Sequence, residues 1–291
     1  MSLWRRFKAW LGWGLGPKQL AERMRSAYEG LEGVRVRYQE ARIPKRAGGT
    51  RRLWIPSDEL KEMQRRILHR LLAKLRAHPA ATGFEKGRSI VDNARPHVGR
   101  DVVVKMDVVD FFPNTRADRV EQYFRRIGWS KRVARELTRL TTNDGGLPQG
   151  APTSPRLSNL VNHGLDARLE GLARSFGARY TRYADDITFS FGPEARTHDL
   201  GWSARLLIKA TARALADVGY DVHTEKKLVI LHRYRRQQVT GLVVNDKLQL
   251  PRSTRRWLRA VRHRKATTGT CTLTDAQLAG WDALEQMVAR G

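Results

Sequence analysis

An α+β fold is predicted, with short strands and hairpins carrying acidic residues and helices packed behind them. Three observations predict it. Strand-like runs are short and lead into aspartates, as in VVVKMD at 102–107 and ARYTRYADDITFSF at 178–191. Longer segments place apolar residues at helical spacing. Turn residues such as Gly-Gly, Asn-Asp-Lys and Gly219 separate the two kinds of segment.

The elements follow in chain order. The opening MSLWRRFKAWLGWGLG mixes arginines with apolar residues, but tryptophans and a lysine interrupt it and no small-residue cleavage site follows, so no signal peptide is expected. It suits an amphipathic helix packed on the body of the protein or on a partner, the preferred reading, or an interfacial membrane helix. From Pro56, PSDELKEMQRRILHRLLAKL puts Leu60, Met63, Ile67, Leu68, Leu71, Leu72 and Leu75 on one stripe, which predicts a long helix. VVVKM at 102–106 reads as a short buried strand. SPRLSNLVNHGLDARLEGLARSF reads as one helix with Ser154 as N-cap and Pro155 at the first helical position. WSARLLIKATARALADVGY is a further helix that Gly219 terminates. KLVIL and VTGLVV read as strands, and NDK turns into LQL. PRSTRRWLRAVRHRK resumes a helix that buries Trp257, Leu258 and Val261 and turns a basic face outward.

Composition narrows the class of function. With 41% hydrophobic residues over 291 positions the chain can bury a core and is not a disordered tail. Lys+Arg number 55 against 29 Asp+Glu, a net charge of +26 spread along the whole chain. That surplus implies a polyanionic partner, nucleic acid first and anionic membrane second. The single cysteine, Cys271, excludes a disulfide framework and a cysteine-based zinc site, and fits a reducing cytoplasm. No apolar run is long enough to span a membrane.

The acidic motifs carry the chemistry. In RYADDITFS, Ala184, Asp185 and Asp186 read as a hairpin tip bearing two adjacent carboxylates, which repel unless a cation screens them or one takes a proton. A solvated acidic turn is the alternative for this stretch alone. In VVVKMDVVDFFPN, Asp107 ends a buried strand, where a charge is costly unless paired, solvated or metal-bound. Asp107, Asp185 and Asp186 together suit two hard cations about 4 Å apart, the equipment of nucleotidyl transfer. GGLPQGAPTSPRLSNL lets backbone amides approach a base pair and triphosphate closely, although alone it is an ordinary loop-to-helix joint.

In order, IPKRAGGTRRLWIP, GFEKGRSIVDNA, VVVKMDVVDFFPN, LPQGAPTSPRLSN, YADDITFS, GYDVHTEKK and VTGLVVN resemble the successive blocks of prokaryotic reverse transcriptases, over about residues 43 to 265. The resemblance implies a right-hand polymerase fold with fingers, a palm of small antiparallel sheet backed by helices, and a helical thumb. It divides the chain into an N-terminal helical extension (1–40), a fingers and palm core (41–235) and an RNA-binding thumb (236–291). Asn93-Ala94-Arg95-Pro96-His97 and Val239-Thr240-Gly241 further resemble the Asn-Ala-x-x-His and Val-Thr-Gly signatures of retron reverse transcriptases.

By this resemblance Asp107, Asp185 and Asp186 are catalytic metal ligands for two Mg2+ ions, and Asp110 belongs to the nucleotide pocket. Phe112 would lie under the sugar of the incoming nucleotide and clash with a 2′-hydroxyl; a core phenylalanine is its alternative, and Phe111 is expected to be one. Gln149 would touch the nucleotide sugar or the template. Arg51 and Arg52, with Lys45 as a third, would neutralise the triphosphate, against the alternative of solvated charges. Lys226 would protonate the departing pyrophosphate, with Lys227 an equally available neighbour. Asn93 and His97 would order the RNA-facing region, and Val239, Thr240 and Gly241 would take part in RNA recognition. Arg255, Arg256, Arg259 and Arg262 would meet the phosphates and minor groove of a duplex. Val108 and Asn114 are mild departures around the first acidic block.

The resemblance implies an enzyme that copies part of a cognate structured noncoding RNA into single-stranded DNA from deoxynucleoside triphosphates. Priming would use a 2′-hydroxyl of that RNA, the product would be a branched RNA–DNA, and the setting antiphage defence. Because the chain ends soon after the thumb, a separate effector protein and a host RNase H are the expected partners, without a membrane. The alternatives are an intron-like or defence-associated reverse transcriptase that primes differently, and a basic RNA-binding scaffold.

Overall fold

The computed structural model describes residues 14–25, 28–44, 48–196, 199–223, 228–270 and 272–290. Their contacts cluster into two compact units that interleave along the chain. One comprises the chain up to His78 with Val108–Leu165 and Leu215–Asp221; the other comprises Pro79–Asp107, Asp166–Ala214 and the chain from Val222. These units cut across the linear segments 1–40, 41–235 and 236–291.

In the first unit, helix α1 (Pro17–Met24) starts on a proline after Gly16 and is followed by α2 (Tyr28–Glu32). Strands β1 (Tyr38–Pro44) and β2 (Thr50–Pro56) form an antiparallel hairpin in register from Tyr38↔Pro56 to Pro44↔Thr50. Helix α3 (Asp58–Ile67) carries Asp58 and Glu59 in its first turn, where acidic groups favour the helix dipole. It runs on into a π-helical turn, Leu68–Leu72, so the long predicted helix is present but widens at its end. The predicted stripe is buried at Leu60, Met63, Ile67, Leu71 and Leu72. It packs in one core with Leu20, Met24 and Leu31 and with the inward faces of α5 (Ala117–Arg126), α6 (Lys131–Thr141) and α7 (Ser154–Val161).

The second unit is built on a four-stranded antiparallel sheet of β3 (Val102–Asp107), β4 (Ala178–Tyr183), β5 (Asp186–Phe191) and β6 (Val229–His232), in the order β4-β5-β3-β6. A second core gathers α4 (Ile90–Ala94), α10 (Arg252–Thr268) and α11 (Asp275–Ala289) through Val91, Ala94, Leu258 and Val288, together with Val239, Leu242 and Val244.

Three local expectations are corrected. The segment opened by Ser154 forms two helices, α7 and α8 (His163–Ser175), because Asn162 turns its amide back onto the Ser158 carbonyl (2.8 Å) and leaves the helical path. Thr153 is the N-cap; Ser154 is the first helical residue and donates to the Pro148 carbonyl (2.7 Å). VTGLVV is a hairpin of β7 (Gln238–Val239) and β8 (Leu242–Val243) rather than a strand, since Thr240 (φ 45°) and Gly241 (φ 86°) both adopt the positive φ that a tight two-residue loop requires. Trp257 is 41% exposed instead of buried, its ring edge-on to Trp281 at 5.6 Å. Helix α9 (Leu200–Ala216) ends as expected, with Gly219 at φ 81° donating to the Ala216 carbonyl (2.9 Å). Among the described residues no helix is long and apolar enough to cross a membrane.

Candidate active site

The sheet register brings the acidic motifs together. Asp107, the last residue of β3, is paired directly with Asp186, the first residue of β5. Tyr183 pairs with the same Asp186 from β4, so Ala184 and Asp185 form a two-residue loop between the strands. Directly opposed residues of antiparallel strands have Cα atoms about 4.5–5.5 Å apart, which sets Asp107 and Asp186 side by side on adjacent strands, with Asp185 the next residue in the loop. Asp107 is only 5% exposed; its Oδ1 is 3.5 Å from His223 Nε2, and its carbonyl accepts from the His223 amide (2.9 Å).

The loop is strained and strongly supported. Ala184 is buried at φ 57°, a region that costs a residue with a Cβ roughly 1–2 kcal/mol. Arg182, 1% exposed, donates from Nη1 to the Ala184 carbonyl (3.0 Å) and from Nε and Nη2 to the two carboxylate oxygens of the fully buried Asp166 (2.7 Å each). Tyr180, two residues earlier on the same face of β4, donates its hydroxyl to Asp166 (2.7 Å). Burial, and then the Asp166 charge, push the Tyr180 phenol well above its ordinary pKa, so it stays a neutral donor. On the outer edge of β4, the Arg182 N–H donates to the Ala80 carbonyl (2.8 Å) and the Arg182 carbonyl accepts from the Thr82 N–H (2.9 Å). Gly83 then passes so close that a Cβ there would lie 2.8 Å from the Ala184 nitrogen. Sequence reasoning missed the Asp166–Arg182–Tyr180 group. Its only signal was a charge two residues from a tyrosine in a strand, which names no partner.

The other predicted residues fall as follows. Asp110 is exposed at φ 43°; Phe112 is half-buried and edge-on to Phe111 (5.6 Å), which is a core residue stacked on Tyr220 (5.6 Å). Gln149 is half-buried and its carbonyl accepts from the Trp54 amide of β2 (2.8 Å). Gly150 follows at φ 119° against the Trp54 carbonyl, an approach that excludes a Cβ. Arg51 is exposed on β2, whereas the guanidinium of Arg52 lies over the Trp54 ring (4.5 Å) and 3.6 Å from Asp144. Lys45 and Lys226, with Lys227, lie outside the described residues.

The residues assigned to RNA recognition, or to ordering the RNA-facing region, divide in two. Asn93, His97 and Val239 are fully buried, so their side chains face the protein interior and direct contact with RNA is not open to them. Asn93 Oδ1 accepts from Thr82 (2.7 Å). His97 bridges the sheet, with Nδ1 2.7 Å from Ser190 Oγ on β5 and Nε2 2.8 Å from Thr181 Oγ1 on β4. Burial, helped by the Arg100 charge, lowers the His97 pKa to about 3, so it is a neutral structural group. Thr240, in the turn with Gly241, donates to the Ile90 carbonyl (3.1 Å). Arg255, Arg256 and Arg259 are exposed on α10, whereas Arg262 is held by Asp282 and Glu285 (2.5 Å each).

Asp107, Asp185 and Asp186 supply the hard oxygen donors that a divalent cation takes, and the strand register brings them to one end of the sheet. The donor chemistry therefore fits, although among the described residues no three such side chains already converge on one point.

Residues 43–258 match the family model for reverse transcriptase (RNA-dependent DNA polymerase). The chain belongs to the reverse transcriptase family, for which dependence on a divalent metal is general. Within that family its resemblance is to the retron type. It is 41% identical over 273 residues to the Retron Mx65 reverse transcriptase of Myxococcus xanthus, covering 87% of this chain and 62% of that protein. It is 36% identical over 216 residues to the Retron Ec86 reverse transcriptase of Escherichia coli, covering 73% and 64%. The chain thus spans under two thirds of the length of these relatives. Among solved structures, telomerase from Candida albicans in complex with a telomeric RNA fragment aligns at a TM-score of 0.52 and 9% identity over 77% of this chain and 46% of that one. Apo telomerase from Candida tropicalis, truncated from its C-terminal domain, aligns at 0.50 and 12% over 74% and 55%. At these identities the likeness shows the fold alone, that of the right-hand polymerases.

Proposed function

We propose that this chain is an RNA-directed DNA polymerase of the retron type, copying part of a structured noncoding RNA into single-stranded DNA. The observation that carries the reading is the cross-strand pairing of Asp107 with Asp186, with Asp185 in the adjoining loop, in a chain of net charge +26. Two Mg2+ ions bound to these carboxylates would activate the attacking hydroxyl and stabilise the departing oxygen. The protein's own work is positioning: Arg182 fixes the loop carbonyl, Asp166 fixes Arg182, and His97 ties β4 to β5. Arg51 and Arg52 meet the triphosphate, Phe112 and Asp110 shape the sugar site, and Gln149 adjoins them on a loop stitched to the β1–β2 hairpin. Lys45 and Lys226 keep their proposed roles from sequence alone.

The finer features rest on the resemblance to retron enzymes: priming from a 2′-hydroxyl, a branched RNA–DNA product, a separate effector, host RNase H and a role in antiphage defence. So does the assignment of fingers, palm and thumb, whereas a cytoplasmic location rests on the single cysteine, Cys271. The test is to express the chain with its flanking noncoding region and treat the recovered nucleic acid with RNase and debranching enzyme. A discrete DNA is expected, freed at one end by debranching and missing in an Asp185→Asn/Asp186→Asn variant. Unbranched DNA would move the chain to a reverse transcriptase that primes differently. RNA bound without any DNA made would leave a scaffold.

A further inference from the structure

The last strand of the sheet, β6, ends in an exposed basic turn, His232-Arg233-Tyr234-Arg235-Arg236, which none of the roles above uses. Tyr234 is 82% exposed. Its ring is stacked nearly parallel to that of His232, the centroids 5.7 Å apart and the planes tilted by 8°, and the Arg235 guanidinium lies 5.9 Å from its centre. The turn is held still by its backbone. Arg233 N–H donates to the Asp101 carbonyl (2.8 Å) and Arg235 N–H to the His232 carbonyl (2.9 Å). Asn245 Nδ2 donates to the carbonyls of Arg233 (3.0 Å) and Arg235 (2.8 Å), and its Oδ1 accepts from the Gln237 amide (2.9 Å). The buried Gln237 side chain donates to the Leu231 carbonyl (3.0 Å). Asp246 and Asp101 neutralise Arg233, at 3.1 and 4.0 Å, which leaves Arg235 and Arg236 as the outward charge.

A rigid aromatic ring kept in water, backed by an imidazole and flanked by guanidinium groups, is the equipment for stacking a nucleobase. We propose that this turn binds an unpaired base of the RNA, stacked on Tyr234, with Arg235 and Arg236 on the adjacent phosphates. The inference rests on the RNA-directed reading above. RNA is favoured over DNA because the enzyme holds its RNA before any DNA exists. A complementary acidic protein surface would use the arginines but has no need of the stacked rings. The site is separate from the carboxylates: His232 pairs with Val102, at the opposite end of β3 from Asp107, about 17 Å away at ~3.4 Å per residue.

The test uses the full chain as wild type, Tyr234→Ala and Tyr234→Phe. Affinity is measured for an RNA hairpin with an unpaired loop, a fully paired RNA duplex, single-stranded DNA of the loop sequence and a poly-glutamate peptide. Primer extension on a short template reports the polymerase separately. Tyr234→Ala should weaken binding of the looped RNA about tenfold or more, and Tyr234→Phe should restore it. Duplex binding and primer extension should stay unchanged. An unchanged affinity in Tyr234→Ala, or an equal loss on duplex, overturns the proposal. Loss confined to DNA or to the peptide overturns the RNA assignment. Absence of primer extension in the wild type would instead refute the polymerase reading, while the binding arms still decide this one.

Discussion

Arg182 carries a full charge at 1% exposure, which the fold tolerates only because Asp166 matches it with two hydrogen bonds and Ala184 accepts a third. Removing one partner strands the other, so Asp166→Asn and Arg182→Leu should each cost about 3–5 kcal/mol in chemical denaturation. Arg182→Lys keeps the charge but cannot span Asp166 and Ala184 together. It should fold better than Arg182→Leu yet still lose at least tenfold in DNA synthesis, read as kcat on a fixed primer–template. His97 gives a pH signature. Its pKa is lowered to about 3 by burial against an ordinary value near 6.5, so below pH 6.5 the unfolded chain takes up a proton that the folded one refuses. The stability linked to His97 is complete above about pH 6.5 and is lost as pH falls toward 3, by about 1.4 kcal/mol per unit. Denaturation curves at pH 6.5 and 5.0 should show this loss in the wild type and not in His97→Gln, which has no such proton to bind. The three aspartates were legible as residues because their motifs are contiguous. Asp166 was not, since a lone acid in a helical stripe carries no mark of the arginine it will meet.

Elements governed by one short-range periodicity were legible: β3, the hairpin about Ala184 and Asp185, and the helical stripe from Leu60. What was missed depends on a single side chain or dihedral overriding the period. Asn162 breaks a helix that the leucine spacing would continue, and Thr240 takes a positive φ that β-branched residues avoid, turning an apolar run into a hairpin. The segment along the edge of β4 is the most exacting case. No local pattern in the sequence marks Gly83, whose place is set by the closeness of the Ala184 nitrogen. Gly83→Ala would bring a Cβ to 2.8 Å from that backbone atom, and neither chain can yield without moving the carboxylate loop. Overpacking of this kind costs about 1–3 kcal/mol. The larger effect should be on synthesis, a fall of tenfold or more at saturating nucleotide, because displacement of reacting groups by about 1 Å is heavily penalised. Wild-type kcat in a folded Gly83→Ala protein would show that the loop does not depend on this contact.

At the scale of the whole chain, composition implies a polyanionic partner but not how the chain divides. The two contact units draw on alternating stretches of sequence, and no local pattern reports which distant stretches will meet. The surplus of +26 is nonetheless a quantity with a measurable consequence. Each phosphate neutralised releases counterions, so log K for RNA should fall linearly with log salt, with a slope of roughly 0.7–0.9 per contact. Not every arginine contributes: Arg262 is spent on Asp282 and Glu285, whereas Arg255, Arg256 and Arg259 stand exposed on the same helix. If those three meet phosphates, the Arg255→Gln/Arg256→Gln/Arg259→Gln variant should flatten the salt slope by about two to three. The loss should be uniform across RNA sequences, since phosphate contacts carry no sequence information. Arg262→Gln should leave the slope as it is and lower thermal stability instead, through the two carboxylates left without their partner. Titrations of both variants between low and physiological salt decide the matter. An unchanged slope in the triple variant would remove this helix face from the nucleic-acid interface and return the charge surplus to the rest of the surface.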